Sequence, residues 1–267
     1  MEDRRDPTTV PDVGGRAFSH TPPRLAVTGG IGSGKSTALA FLAELGAMTL
    51  SSDAIVHEVY SSAEILGALE GRFGAPVVLD GCVHRAALSE AVFEDEQALI
   101  WLERLTHPLV RRRVEEWART HEASREPPAL LAVEVPLLFE SGQMLDLFDC
   151  VLLVTAPADV RRRRLAAKMT PEDFERRVAR QMSEAEKAER SHFLFENSGS
   201  RHAMRDYLAE VVASILACAG GDVPEDLDGV VGSLAAGLST DDELEDELED
   251  ELEDGREDGA FGTSSTE

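Results

Sequence analysis

The stretch Gly29-Gly30-Ile31-Gly32-Ser33-Gly34-Lys35-Ser36-Thr37 contains the spacing Gly-x-x-x-x-Gly-Lys-Ser. Glycines let successive backbone N–H groups turn toward one point, and a helix starting there adds positive potential, so phosphate oxygens are the natural ligand. Lys35 would reach the β- and γ-phosphates of a nucleoside triphosphate, and the Ser36 hydroxyl would ligate Mg²⁺. Gly30, Gly32, Ser33, Gly34, Lys35, Ser36 and Thr37 are therefore the candidate nucleotide-binding residues. Lysine is scarce: Lys35, Lys168 and Lys187 stand against 23 arginines, which lowers the odds of a chance Gly-Lys-Ser.

A phosphate loop alone does not separate a kinase from a GTPase or a motor. No Asn-Lys-x-Asp guanine motif occurs, and three further features favour phosphoryl transfer to a small molecule. Asp53 falls just past the second expected strand, where a carboxylate can take the proton of an acceptor hydroxyl and assist Mg²⁺; capping the helix that follows from Ala54 is compatible with that role. In the run Asp159 to Lys168, helical spacing puts Arg161, Arg164, Leu165 and Lys168 on one face. Such cations could close over the phosphates as a lid, so Arg164 and Lys168 join Asp53 and Lys35 as catalytic candidates. Arg162 and Arg163 point elsewhere and are read as solvated. Arg85 and His107 lie in an expected helical insertion suited to an acceptor. His107 taken singly is more often a packing residue, and Arg111 to Arg113 mostly a solvated face.

The elements that must position these groups follow from pattern. Arg24 to Thr28 reads as a strand, Lys35 to Leu45 as a helix ended by Gly46, and Ala47 to Leu50 as a short strand. Ala54 to Arg125 is helical, with a turn at Gly74 to Gly81 and helices over Arg85–Phe93 and Glu96–His121. About 70 residues between strands far exceed a crossover of about a dozen, so 54–128 reads as an inserted helical subdomain. Ala129 to Val135, with its one acid Glu134, and Cys150 to Thr155 are continuous apolar runs suited to parallel strands covered on both faces. A helix follows over Ala158–Lys168, another starts at Thr170-Pro171, His192 to Glu196 is the last strand, and Arg201 to Cys218 the last helix. The expectation is a three-layer α/β nucleotide-binding core (24–53 and 129–219) with a five-stranded parallel sheet, the inserted helices, and a helical lid at about 158–190.

The 267 residues carry a net charge of −25, but Asp222 to Glu267 hold 18 acids and one arginine, leaving −8 for the rest. This balance argues against nucleic acid and anionic membranes as partners. Residues 1–23 read as a disordered leader, unlike a signal or transit peptide, and 220–267 as a disordered acidic tail, with Glu-Leu-Glu-Asp three times in a row. Three scattered cysteines argue for a reduced, cytoplasmic compartment, and no apolar run approaches the roughly 18 residues of a membrane span. Oligomeric state is not legible.

From Leu25 to Leu216 the chain resembles the dephospho-coenzyme A kinase family. The resemblance rests on the loop and Asp53, Arg72-Phe73-Gly74, Leu79-Asp80-Gly81 with Arg85 and Leu88, and His107-Pro108-Leu109-Val110. It continues in Val135-Pro136-Leu137-Leu138-Phe139-Glu140, Arg164-Leu165, Arg180-Gln181 and Asn197-Ser198-Gly199. It implies a P-loop kinase that uses Mg²⁺ and ATP to phosphorylate the ribose 3′-hydroxyl of dephospho-coenzyme A. Asp53 would be the base, with Arg85, His107 and Glu140 also on the substrate and Asn197 and Gly199 near the adenine. The alternatives are a kinase for another nucleoside or nucleotide, or a nucleotide-binding regulator with impaired catalysis. The family usually has Asp-x-Asp where this chain has Ser51-Ser52-Asp53, and an arginine where it has Lys168.

Overall fold

Five strands, β1 (Arg24–Thr28), β2 (Met48–Ser51), β5 (Leu131–Glu134), β6 (Cys150–Thr155) and β7 (Phe193–Glu196), form one sheet in the order β2-β5-β1-β6-β7, every pairing parallel. The computed structural model describes residues 10–11, 18–93 and 95–220. The acidic tail from 221 on and most of the leader lie outside the described residues. Continuous apolar sequence in the central strands is explained by cover on both faces. Leu25 and Val27 of β1 enter one core with Leu152 and Val154, under α1 (Lys35–Glu44) and α10 (Arg201–Ala219). Ala26 enters the other, with Val133 and Val151.

That second core belongs to the insertion. Ile55 and Val59 from α2 (Ser52–Tyr60), Ile65 and Leu69 from α3 (Ala63–Phe73), and Val110 and Val114 from α5 (Glu96–Glu122) pack there, as does Leu88 of α4 (Arg85–Phe93). The expected helices over Arg85–Phe93 and Glu96–His121 are present almost to the residue. The turn at Gly74 to Gly81 is more than a turn: Val78–Leu79 (β3) and Cys82–Val83 (β4) pair antiparallel across Asp80 and Gly81, both at positive φ. Asp-Gly is the pair that a two-residue hairpin turn requires.

After β5 comes a short helix, α6 (Leu138–Ser141), and after β6 the expected lid, α7 (Ala158–Leu165), α8 (Pro171–Val178) and α9 (Glu184–Arg190). The helix expected to reach Lys168 stops at Leu165. Thr170 precedes Pro171, is driven to extended backbone, and caps α8 by accepting from Asp173 N. Residues 18–23, assigned from sequence to the leader, are held instead. Asp149 accepts the backbone N–H groups of Ser19 (2.7 Å) and Arg24 (2.9 Å) and lies 3.1 Å from His20 Nδ1, while Phe18 packs on the α1/α10 core.

Candidate active site

The loop between β1 and α1 folds as its glycines require. Gly29, Gly32 and Gly34 have φ of 146°, 75° and 98°, conformations that side chains rarely adopt. A Cβ on Gly29 would strike the carbonyl of Val154, and one on Gly34 the side-chain amide of Asn197. Lys35 is buried and its Nζ donates to Gly30 O at 3.1 Å, closing the loop on itself. The N-terminus of α1, capped by Gly34 without any side-chain hydrogen bond, points its free N–H groups at the loop.

Parallel register assembles the charged centre. Glu134, at the C-terminal end of β5, lies opposite Val27 of β1 on one side and Ser51 of β2 on the other. It therefore sits between the strand that enters the phosphate loop and the one that leads to Asp53. Burial pushes the Glu134 carboxyl above the usual range, Lys35 opposes this and Asp53 adds to it, while the hydroxyls of Ser51 and Ser36 are within hydrogen-bonding reach. Lys35 in turn is lowered by burial, with Glu134 and then Asp53 supporting its charge. Asp53 does not cap a helix: α2 begins at Ser52, and Asp53 lies exposed in its first turn.

Glu134 is visible in the sequence only as one acid in an apolar strand, and sequence reasoning does not select it as a site residue. Its position at the carboxyl end of a buried strand is the available signal, since ligands bind at that edge of open α/β sheets.

The opposite side of the loop forms a cleft of about 200 Å³ lined by Gly34, Thr37, Arg164, Asn197, Gly199 and Arg201, with Ser200 and Met204. Asn197 holds it together: its Nδ2 donates to Ser33 O at 2.9 Å, and its Oδ1 accepts from Arg164 Nη2 at 3.1 Å. Arg164 also approaches the carbonyls of Gly32 (3.4 Å) and Ser33 (3.5 Å). Arg164, Asn197 and Gly199 thus meet beside the loop. Lys168 does not join them. Its shared face with Arg164 presumed a continuous helix, and beyond Leu165 it is an exposed residue of the α7–α8 turn. Arg161, by contrast, is 7% exposed, lies 3.6 Å from Glu184, stacks over Phe174 and touches Gly30. Arg162 and Arg163 pair with Glu175 and Asp159 at the surface.

The substrate candidates divide. Arg85 Nη2 meets His57 Nδ1 at 2.6 Å. His57 is one helical turn after Asp53 on α2, so Arg85 is brought alongside the helix that carries the acid. His107 is half-buried in α5; burial lowers its pKa, Glu103 opposes this, and its Nδ1 has no hydrogen-bond partner among the described residues. Arg111, next along α5, binds Asp146, Glu115 and the carbonyl of Gln143, and so fastens α5 to the turn before β6. Glu140 is turned toward the lid. Its Oε1 accepts Met182 N at 2.9 Å and lies 3.0 Å from Lys187 Nζ. Through this oxygen the carboxylate ties the lid to α6.

Residues 24–203 match the family described as dephospho-CoA kinase. A dephospho-CoA kinase of Rhodopseudomonas palustris is 39% identical over 190 residues, covering 70% of this chain and 93% of its own. One from Brucella melitensis is 38% identical over 193 residues, 72% and 94% of the two chains. Among solved structures, a protein from Thermus thermophilus superposes with a TM-score of 0.61 at 36% identity, over 72% of this chain and 97% of that one. The dephospho-CoA kinase of Campylobacter jejuni gives 0.55 at 26%, over 72% and 96%.

Proposed function

Because the chain belongs to the dephospho-CoA kinase family, we propose that it transfers the terminal phosphoryl group of ATP to the ribose 3′-hydroxyl of dephospho-coenzyme A, giving coenzyme A and ADP. The observation that carries this reading is the convergence of Lys35, Asp53 and Glu134 at the carboxyl edge of the sheet, each charge acting on another. A phosphate-binding cation, a base and a carboxylate for the metal stand within one cleft.

ATP lies with its phosphates on the loop and its adenine in the cleft at Asn197, Gly199 and Arg164. Lys35 neutralises charge on the β- and γ-phosphates, and the α1 N-terminus adds to this. Asp53 accepts the proton of the 3′-hydroxyl as its oxygen bonds to the γ-phosphorus and the bond to ADP breaks. Ser36 and Glu134 offer hard oxygen donors within reach of one another, the chemistry Mg²⁺ prefers, with Asp53 close by. Bound there, Mg²⁺ would neutralise phosphate oxygens. Arg85 lies on the acceptor side with α2, and His107 on α5 belongs to the same inserted subdomain.

A cytoplasmic enzyme that works away from nucleic acid and membranes belongs to the same reading. No described helix is long and apolar enough to cross a bilayer. The test is an acceptor panel, in which ADP release is followed with dephospho-coenzyme A, adenosine, uridine and AMP. Turnover confined to dephospho-coenzyme A is expected; equal or faster turnover of another acceptor reassigns the substrate, and ATP binding without ADP release for any acceptor makes the protein a regulator.

A further inference from the structure

Lys187, on α9, is a buried cation outside the triad of Lys35, Asp53 and Glu134. Its side chain is 0% exposed, and its Nζ stands 3.0 Å from Glu140 Oε1. That is an ion-pair distance, yet the angles leave the ammonium without a hydrogen bond among the described residues. Glu140 Oε1 already takes the N–H of Met182. An ammonium has three protons to place, and leaving them unplaced in the interior is costly.

Lys187 is not alone in this. Glu140 Oε2, Glu184 Oε2, Arg161 Nε and Ser33 Oγ are also buried without hydrogen-bond partners among the described residues. They belong to α6, α9, α7 and the phosphate loop, elements that touch: Glu184 and Arg161 both abut Gly30, and Ile31 N donates to Gln181 at 3.3 Å. Buried polar atoms are nearly always satisfied, so a shared set of unsatisfied ones marks where a polar ligand completes the network. The orphaned donors, Lys187 Nζ and Arg161 Nε, are both cationic, and Arg161 abuts Gly30 of the phosphate loop, so a ligand that takes their protons there is an anion. Glu140 follows β5, the strand between β1 and β2, whereas the adenine cleft lies toward β7. Lys187 is thereby on the side of the loop where the terminal phosphate and the acceptor meet.

We propose that Lys187 is a second phosphoryl-binding cation, which contacts the transferred phosphoryl group together with Lys35 and is positioned for this by Glu140. A structural alternative is that the Lys187–Glu140 pair only fastens α9 to the sheet. The proposal rests on the kinase reading, so the experiment separates the two. Lys187→Met removes the charge at similar volume, and Lys187→Arg restores it. Affinities for ADP and for the β,γ-imido analogue of ATP are measured by calorimetry, beside kcat and the melting temperature.

If Lys187 meets the terminal phosphate, Lys187→Met binds ADP within about threefold of wild type, loses about tenfold or more for the analogue, and drops kcat about a hundredfold. Lys187→Arg recovers part of both. Unchanged analogue affinity and kcat, or an equal loss for ADP and analogue, overturns the proposal and leaves the pair a fastener. Should Lys187→Met not fold, the neutral pair Glu140→Gln/Lys187→Met replaces it, since breaking one side of a buried pair is what destabilises most; the same readouts apply. Failure of the wild type itself to bind the analogue or turn over would instead count against the kinase reading.

Discussion

Ser51 and Glu134 are register partners on the adjacent parallel strands β2 and β5, with the serine hydroxyl within reach of the carboxylate. Where the family resemblance implies the first acid of an Asp-x-Asp pair, this chain carries a serine, and an acid stands beside it on the neighbouring strand. The cleft thus keeps two carboxylates, Asp53 and Glu134.

Glu134→Gln should lower kcat about tenfold to a hundredfold and raise the Mg²⁺ needed for half-maximal activity; calorimetry should show a smaller Mg²⁺-dependent gain in ADP affinity. The same change should stabilise the nucleotide-free protein. Burial raises the folded pKa of Glu134, so the cost of its charge is absent below the ordinary carboxylate range and fully present above the raised value. The melting temperature of the variant should exceed that of wild type at about pH 8 and converge with it at about pH 3.5.

Asp53→Asn should reduce kcat by about two to four orders of magnitude while ATP binding stays within about threefold. Near-normal turnover in that variant would remove Asp53 as the base.

Arg164→Ala should raise the KM for ATP about tenfold, since it frees the Asn197 side chain and opens the adenine cleft. Lys168→Ala, on an exposed turn, should change kcat and KM by less than about twofold. Equal losses in both variants would restore the lid role that a continuous helix would have given Lys168.

Gly34→Ala should destabilise by about 1–3 kcal/mol and abolish detectable ATP binding, because it combines a left-handed φ with a collision at Asn197. Gly46→Ala, also at positive φ but facing open space, should cost about 1 kcal/mol by thermal melting and leave ATP binding intact.

The sequence alone determined the α/β architecture, the phosphate loop and Asp53, because each rests on local rules. Short continuous apolar runs between helices suit strands covered on both faces, and the loop's glycines, lysine and serine act within one turn of chain. Arg164 was legible through helical spacing, Asn197 and Gly199 only through resemblance. What tertiary structure decided involves groups distant in sequence. Glu134 enters the site only because β5 inserts between β1 and β2. Lys187, one charge among many on its helix, becomes buried beside Glu140, 47 positions away. Lys168 leaves the Arg164 face for the complementary reason: helical spacing extends indefinitely on paper, whereas α7 ends at Leu165 and α8 begins at Pro171, so Lys168 lies in the turn between them. Local sequence sets which chemistry a segment can offer. Strand order and helix length set which of those offers share one cleft.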